Sequence, residues 1–333
     1  MAKRWTAAEL LEVARQFQTS SVLAAGVALD VFTMLDEKPG TARAVASRSR
    51  ADLRAMTILL DALAALGFLT KRRDLYSVPP DLVRLLSERS PQNVVAMVRH
   101  QENCLRRWAE LPVTVRTGKR PEPTVSVRGA AADQAAFIGG MHNISKPIAD
   151  DVVSKLQPLK FHHLLDIGGG PGTWTIAFLR AVPEAHATLF DLPPVTAMAR
   201  ERIAEAGLLD RVTFVGGDFY ADALPAGADL AWLGAICHQN SRQQNRALFA
   251  KVRAALSDKG ALVIRDVVMK PSRIEPPGGA LFAVNMLTAT EAGGTYTFAE
   301  YSEDLRKAGF GKAVLVHWDE FMSSLIRVRK ARA

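Results

Sequence analysis

The 333-residue sequence has little cysteine and no long apolar run. Its two cysteines, Cys104 and Cys237, are far apart and form no metal-type pair. That excludes a disulfide framework or a thiolate metal cage and fits a reducing compartment. The most apolar early stretch, SSVLAAGVALDVFTML, is interrupted by Asp30 and is too short to span a bilayer. The N-terminus, MAKRWTAAELLEVARQF, alternates charged with apolar residues and has no apolar signal region. These absences lead us to expect a soluble, cytoplasmic protein. Charge is plentiful but dispersed: 42 basic against 34 acidic residues leave a net +8. Apart from Lys71-Arg72-Arg73 and the tail Arg327-Val328-Arg329-Lys330, no basic cluster argues for nucleic acid. With 48% hydrophobic and 23% charged residues, long disorder is excluded, and the length suits two domains.

The two halves follow different patterns. Residues 1–100 read as helical, with apolar residues at helical spacing through Leu10, Leu11, Val13 and Ala14 and again from Val22 to Leu35. Thr41 is placed to cap one helix and Ala51-Asp52 to start a second, apolar one that Gly67 stops. Phe68-Leu69-Thr70 and Leu75-Tyr76-Ser77-Val78 then flank a polar turn, as in the small hairpin of a winged helix. A DNA-reading second helix would be polar and basic. This one carries Met56, Ile58, Leu59, Leu60, Leu63 and Leu66, a surface suited to packing or dimerisation. Residues 101–150 continue as a helical connector, with 114–129 as a loop or linker. From 151 to 333, apolar strand candidates at 163–167, 187–190, 212–215, 230–233 and 261–264 alternate with helical stretches such as 175–182 and 195–205. We expect an α/β, Rossmann-like, doubly wound and mostly parallel sheet behind an all-α, winged-helix-like domain.

The first of these strands runs into Gly168-Gly169-Gly170-Pro171-Gly172. Ligands of such sheets sit at the C-terminal strand ends, where glycine admits close approach of backbone. The spelling is G-x-G-x-G, not the G-x-G-x-x-G of a pyrophosphate loop. It resembles the loop that holds the aminoacid part of S-adenosylmethionine. A tight strand-to-helix turn is the plainer alternative. The next strand ends in Asp191, placed to accept both ribose hydroxyls, with Leu192 beside it. The third ends in Gly216-Gly217-Asp218-Phe219, where Asp218 can accept from an adenine amino group and Phe219 can pack on the ring. Each aspartate alone reads equally as a turn or helix cap. Asp166, Asp191 and Asp218, recurring at successive strand ends, point together to an adenosyl cofactor.

DIGGGPG, FDLPPV, GGDFY, CHQNS and AEYSEDLRKAGF, in that order, resemble the class I S-adenosylmethionine-dependent O-methyltransferases. The closer likeness is to the family of plant caffeate and flavonoid, acetylserotonin and bacterial polyketide O-methyltransferases. The likeness covers nearly the whole chain, since the N-terminal half fits that family's dimerisation domain. It implies a homodimer with a small aromatic acceptor, no membrane or nucleic-acid partner, and S-adenosylmethionine as cofactor, leaving S-adenosylhomocysteine. It places Asp166, Gly168, Gly170, Asp191, Leu192, Asp218, Phe219 and Gly234 at the cofactor. It makes His238, after the fourth strand, the catalytic base, with Asp266 as its supporting carboxylate. A phenol has a pKa near ~10 and histidine one near ~6.5, so a general base is what a phenolic acceptor needs. A surface or capping histidine is the plainer reading of His238.

Three positions depart from the family pattern. His238-Gln239-Asn240 replaces His-Asp-Trp, whose tryptophan helps cover the adenine. Gly234 stands where the plant enzymes carry a lysine, and Thr295 where a second supporting glutamate is usual, with Glu291 nearby. These departures keep C- or N-methylation, or a non-methylating reaction on the same cofactor, as the alternative. A nicotinamide enzyme and a winged-helix regulator are the remote rivals. By resemblance the acceptor pocket lies between the halves, lined from 137–143 and 281–287. Met141, Phe282 and Met286 would suit a flat ring or simply pack a core. His142 is a spare candidate base. Arg106-Arg107-Trp108 reads as a contact for an acidic substrate or as a solvated face. No spacing of His, Asp or Glu calls for a metal.

Overall fold

The computed structural model describes residues 4–331. The chain divides into two compact units, Met1–Arg106 with Thr124–Asn143 and Arg107–Pro123 with Ile144–Ala333. The stretch 101–150, read above as a connector, is therefore shared between them. In chain order the elements are helices α1 (Ala7–Arg15), α2 (Phe17–Ala28), α3 (Val31–Glu37), α4 (Ala42–Ser49) and α5 (Leu53–Ala65) and the strands β1 (Thr70–Arg72) and β2 (Leu75–Ser77). Helices α6 (Pro80–Leu86), α7 (Val95–Ala109), α8 (Leu111–Thr117), α9 (Ala130–Ser145) and α10 (Ala149–Ser154) follow. The remainder is β3 (His163–Ile167), α11 (Thr173–Ala181), β4 (His186–Asp191), α12 (Pro193–Glu205), β5 (Val212–Gly216), β6 (Ala228–Gly234), α13 (Arg242–Ala255) and β7 (Leu256–Asp266). It closes with β8 (Val268–Met269), α14 (Pro277–Ala289), β9 (Tyr296–Thr297), α15 (Phe298–Lys307), β10 (Val314–His317) and β11 (Ser324–Arg329).

In the first unit, Thr41 caps α4 by accepting from Ala44 N, and Asp52 caps α5 by accepting from Ala55 N at 2.8 Å. Helix α5 turns Met56, Leu60 and Leu63 into a core shared with Val31, Phe32 and Val45. Its Asp61 accepts from Tyr76 Oη at 2.6 Å and pairs with Lys71, which ties the helix to the β1–β2 hairpin. The helix that a DNA reader would present is here a packing element.

In the second unit, seven strands run in the order β10-β11-β7-β6-β3-β4-β5. The pairs β7–β6, β6–β3, β3–β4 and β4–β5 are parallel, while β11 runs antiparallel to both neighbours. This is a Rossmann-like α/β fold. Parallel strands buried on both faces need near-continuous apolar runs, as in Leu164-Leu165-Asp166-Ile167 and Leu230-Ala231-Trp232-Leu233. One face packs on α10, α11 and α12 through Trp174, Phe178 and Ile203; the other packs on α13 and α15 through Phe249, Val252 and Leu305. Parallel alignment brings Ile167, Asp191, Gly216, Gly234 and Asp266, the last residues of β3, β4, β5, β6 and β7, to one edge. Ligands of this architecture bind at that edge.

All five anticipated strands are present. One reading needs correction: 114–117 closes helix α8, so the loop begins later. The basic tail lies largely in strand β11. That strand buries Ile326 and Val328 while its arginines alternate with them, a period-2 pattern hidden by the charge. Among the described residues no single helix is long and apolar enough to cross a membrane.

Candidate active site

The glycine loop leaves β3 and enters α11. Gly168 and Gly170 have φ of +65° and +53°, a region that disfavours any side chain with a Cβ. A Cβ on Gly168 would stand 2.6 Å from Ile236 Cδ1 and 3.7 Å from Phe219 Cε1. One on Gly170 would meet nothing nearer than 4.0 Å. The loop is thus pressed against Ile236 and Phe219 at one glycine and open at another.

Asp191 closes β4 beside this loop. Its Oδ2 accepts from Gly170 N at 2.8 Å and its Oδ1 from Leu192 N at 2.7 Å. Burial pushes this carboxyl up, against the pull of those two bonds. Each carboxylate oxygen keeps a further lone pair, so the group is placed to accept from a diol. Asp218 caps the next turn, its Oδ1 accepting from Tyr220 N at 2.8 Å, and the Phe219 ring stands 4.5 Å from that of Tyr220. Asp166 lies deeper. Its carboxyl is buried on the α11 side, accepts from Thr175 Oγ1 at 2.6 Å, and would touch a Cβ on Gly169. Burial pushes its pKa up to about 7. It supports the loop from beneath.

His238 sits in a single 3-10 turn, Cys237–Gln239, past the end of β6. Its Nδ1 is 2.8 Å from Asp266 Oδ1, and its backbone N donates to Oδ2 at 3.1 Å. Asp266 ends β7 and also accepts from Val267 N. The pairing read from the sequence is therefore the pairing seen. Phe282 of α14 stands edge-on to the imidazole at 4.8 Å and to Phe321 at 5.8 Å. Met286 is buried on the same helix, and Asn285 accepts from Trp108 Nε1 at 3.0 Å. Met141 and His142 lie on α9, Met141 half-buried. Arg106 is engaged by Glu102 at 2.6 Å and faces Asp133, a local network on its own surface.

The departures also find physical reasons. Asn240 is fully buried: Tyr220 Oη donates to its Oδ1, Tyr296 Oη donates to its carbonyl, and its Nδ2 reaches Asn245 Oδ1 at 3.0 Å. It ties the Asp218–Tyr220 turn to the His238 turn. Gly234 has no room for a side chain, because a Cβ there would lie 2.5 Å from Trp232 Nε1. Thr295 is buried, its carbonyl accepting from Arg273, and Glu291 is exposed. The Cys237 thiol, pushed far up by burial, is an inert core group. Among the described residues no group of three or more His, Cys, Asp or Glu is placed to hold a metal ion.

Residues 124–311 match the O-methyltransferase domain family, and residues 11–80 match the O-methyltransferase dimerisation domain. The chain belongs to the O-methyltransferase family. It is 32% identical over 308 residues to the tetracenomycin polyketide synthesis 8-O-methyl transferase TcmO of Streptomyces glaucescens, covering 91% of each chain. It is 28% identical over 313 residues to the N,N-dimethyltransferase OxyT of Streptomyces rimosus, covering 91% of this chain and 90% of OxyT. Among solved structures it resembles PigF with SAH, at a TM-score of 0.86 and 25% identity, over 98% of this chain and 100% of that one. The protein is an S-adenosylmethionine-dependent methyltransferase, and the open glycine loop beside the Asp191 carboxylate fits an adenosyl ligand.

Two features of the site escaped the sequence reading. The Tyr220–Asn240–Tyr296 network joins residues distant in the chain, and no local spacing marks it. Arg265 did leave a signal, a charge closing the apolar run Ala261-Leu262-Val263-Ile264.

Proposed function

We propose that this methyltransferase acts on a hydroxyl of a small aromatic or polyketide-like acceptor, with His238 as general base and Asp266 as the carboxylate that orients it. The observation that carries this reading is the double contact between the two residues. With Asp266 accepting from Nδ1, the proton sits on that nitrogen and the Nε2 lone pair is left for the acceptor hydroxyl. Bound S-adenosylmethionine supplies a methyl group already activated on a sulfonium. What remains for the protein is to hold the acceptor in line and take its proton. Gly168, Gly170, Asp191, Leu192, Asp218 and Phe219 hold the cofactor, and Asp166 and Gly234 shape the backbone that carries them. Phe282 and Met286 offer apolar and edge contacts for a flat ring. The test is incubation with methyl-labelled cofactor and a panel of phenols, read by mass spectrometry. A labelled ether that disappears in His238→Ala supports the assignment; undiminished turnover in that variant sinks it.

Thr295 at the place of a second supporting acid, together with the likeness to an N,N-dimethyltransferase, favours transfer to nitrogen or carbon as the second reading. The position of the label in the product separates the two. We also infer a homodimer. Helix α1 has no buried residue, and Leu10, Leu11 and Phe17 are each more than half exposed within a region that includes the dimerisation-domain match. A monomeric mass in solution at micromolar concentration would remove this inference.

A further inference from the structure

Arg265 is a positive charge buried without an opposite charge in contact. Its residue is 3% exposed, the guanidinium lies 4.5 Å over the Trp174 ring, and Nη2 reaches Ser323 Oγ at 3.3 Å. Nε has no partner, and among the described residues no carboxylate stands within salt-bridge distance. Asp266 and Asp319 attract it only from beyond contact, while burial pushes it down to about 10, so it stays charged at neutral pH. An uncompensated buried charge is strongly unfavourable and calls for a partner.

A second donor is orphaned nearby. Trp232 Nε1 is fully buried with no acceptor. Arg265 pairs in register with Gly234 across β6 and β7, and Trp232 Nε1 stands 2.5 Å from where a Gly234 Cβ would be. Both side chains also pack on Trp174, the second residue of α11 as it leaves the glycine loop. Two unsatisfied N–H donors, one of them cationic, thus belong to side chains packed on the same indole, and one of the two lies at Gly234. A planar anion matches the guanidinium fork, and a carboxylate is the planar anion that the cofactor carries.

We propose that Arg265, with Trp232 Nε1, is the receptor for the aminoacid carboxylate of bound S-adenosylmethionine. The assignment rests on the cofactor assigned above. The sheet order follows the ligand: Asp218 after β5 for the adenine, Asp191 on β4 for the ribose, the glycine loop on β3 for the aminoacid part, and Gly234 with Arg265 on β6 and β7 for its end.

Isothermal titration with S-adenosylmethionine and its decarboxylated analogue tests this in the full-length protein. The wild type is expected to prefer the carboxylated ligand by about 10- to 100-fold, as for a charge-assisted bond. In Arg265→Met the preference collapses towards unity while affinity for the decarboxylated ligand, which also reports folding, stays the same. Arg265→Lys retains part of the preference, and Trp232→Phe weakens only the carboxylated ligand. Equal weakening of both ligands in Arg265→Met, or of neither, overturns the proposal. So does benzoate binding to the cofactor-loaded protein that is lost in Arg265→Met with the preference intact, since the receptor then serves the acceptor. Failure of the wild type to bind either ligand would instead remove the cofactor assignment and this proposal with it.

Discussion

Asp266 holds His238 at two points, the ring nitrogen Nδ1 at 2.8 Å and the backbone N at 3.1 Å. One carboxylate therefore sets both the position of the turn and the orientation of the imidazole. With Val267 N also donating to it, three N–H groups converge on its two oxygens.

Asp266→Asn leaves a single acceptor oxygen for those three donors. At least one N–H then faces another N–H, and the imidazole loses the charge that stabilises its protonated form. Turnover is expected to fall by roughly 10²- to 10⁴-fold. Cofactor affinity, measured by titration with S-adenosylhomocysteine, should stay within about twofold, since no proposed cofactor contact is removed. A variant that turns over at the wild-type rate would show that the pair is structural.

Asp191→Ala should act on binding instead. It removes the acceptor proposed for the ribose and frees Gly170 N and Leu192 N at the loop. Hydrogen bonds to a charged group contribute about 1.5–3 kcal/mol, so the Kd for S-adenosylhomocysteine should rise by roughly 10- to 100-fold. Unchanged affinity in calorimetry would place the ribose elsewhere.

Asn240 offers a prediction about coupling. Replacing it with alanine strands Asn245 Oδ1 and releases the Tyr220 hydroxyl, at a cost of about 1–3 kcal/mol. Tyr220→Phe removes one bond at a half-exposed ring and should cost about 0.5–1.5 kcal/mol. Thermal unfolding should rank Asn240→Ala below Tyr220→Phe. Because the Asp218–Phe219 turn loses its tie, Asn240→Ala should also weaken S-adenosylhomocysteine binding. An affinity equal to wild type would show that the network serves stability alone.

What was legible in the sequence was whatever the chain announces locally. The five parallel strands show as apolar runs, Thr41 and Asp52 as caps before helices, and the glycine loop by its spelling. The pairing of His238 with Asp266 came from the family resemblance, and the parallel neighbours β6 and β7 bring the two positions together. The reason for Gly234 was not legible, since it depends on where the Trp232 indole turns within the sheet. Nor was the burial of Asn240, whose partners Tyr220 and Tyr296 come from distant turns. The alternation of β11 was masked because Arg327 and Arg329 interleave with buried Ile326 and Val328, so the segment carries charge where a core strand is usually apolar.

Asp166 makes stability depend on pH. Burial raises its pKa to about 7 in the folded protein, against an ordinary carboxylate near ~3.9. Between those values the folded state binds more protons than the unfolded one, so stability falls as pH rises from about 4 to 7 and then levels off. The shift corresponds to at most ~4 kcal/mol. Asp166→Asn retains an acceptor for Thr175 Oγ1 at 2.6 Å without an ionisable group. Denaturant unfolding should find this variant at least as stable as the wild type at pH 7.5, with that advantage shrinking towards pH 4. A wild type whose stability climbs through this range, with the variant following in parallel, would mean that Asp166 is ionised throughout and that another partner holds its charge.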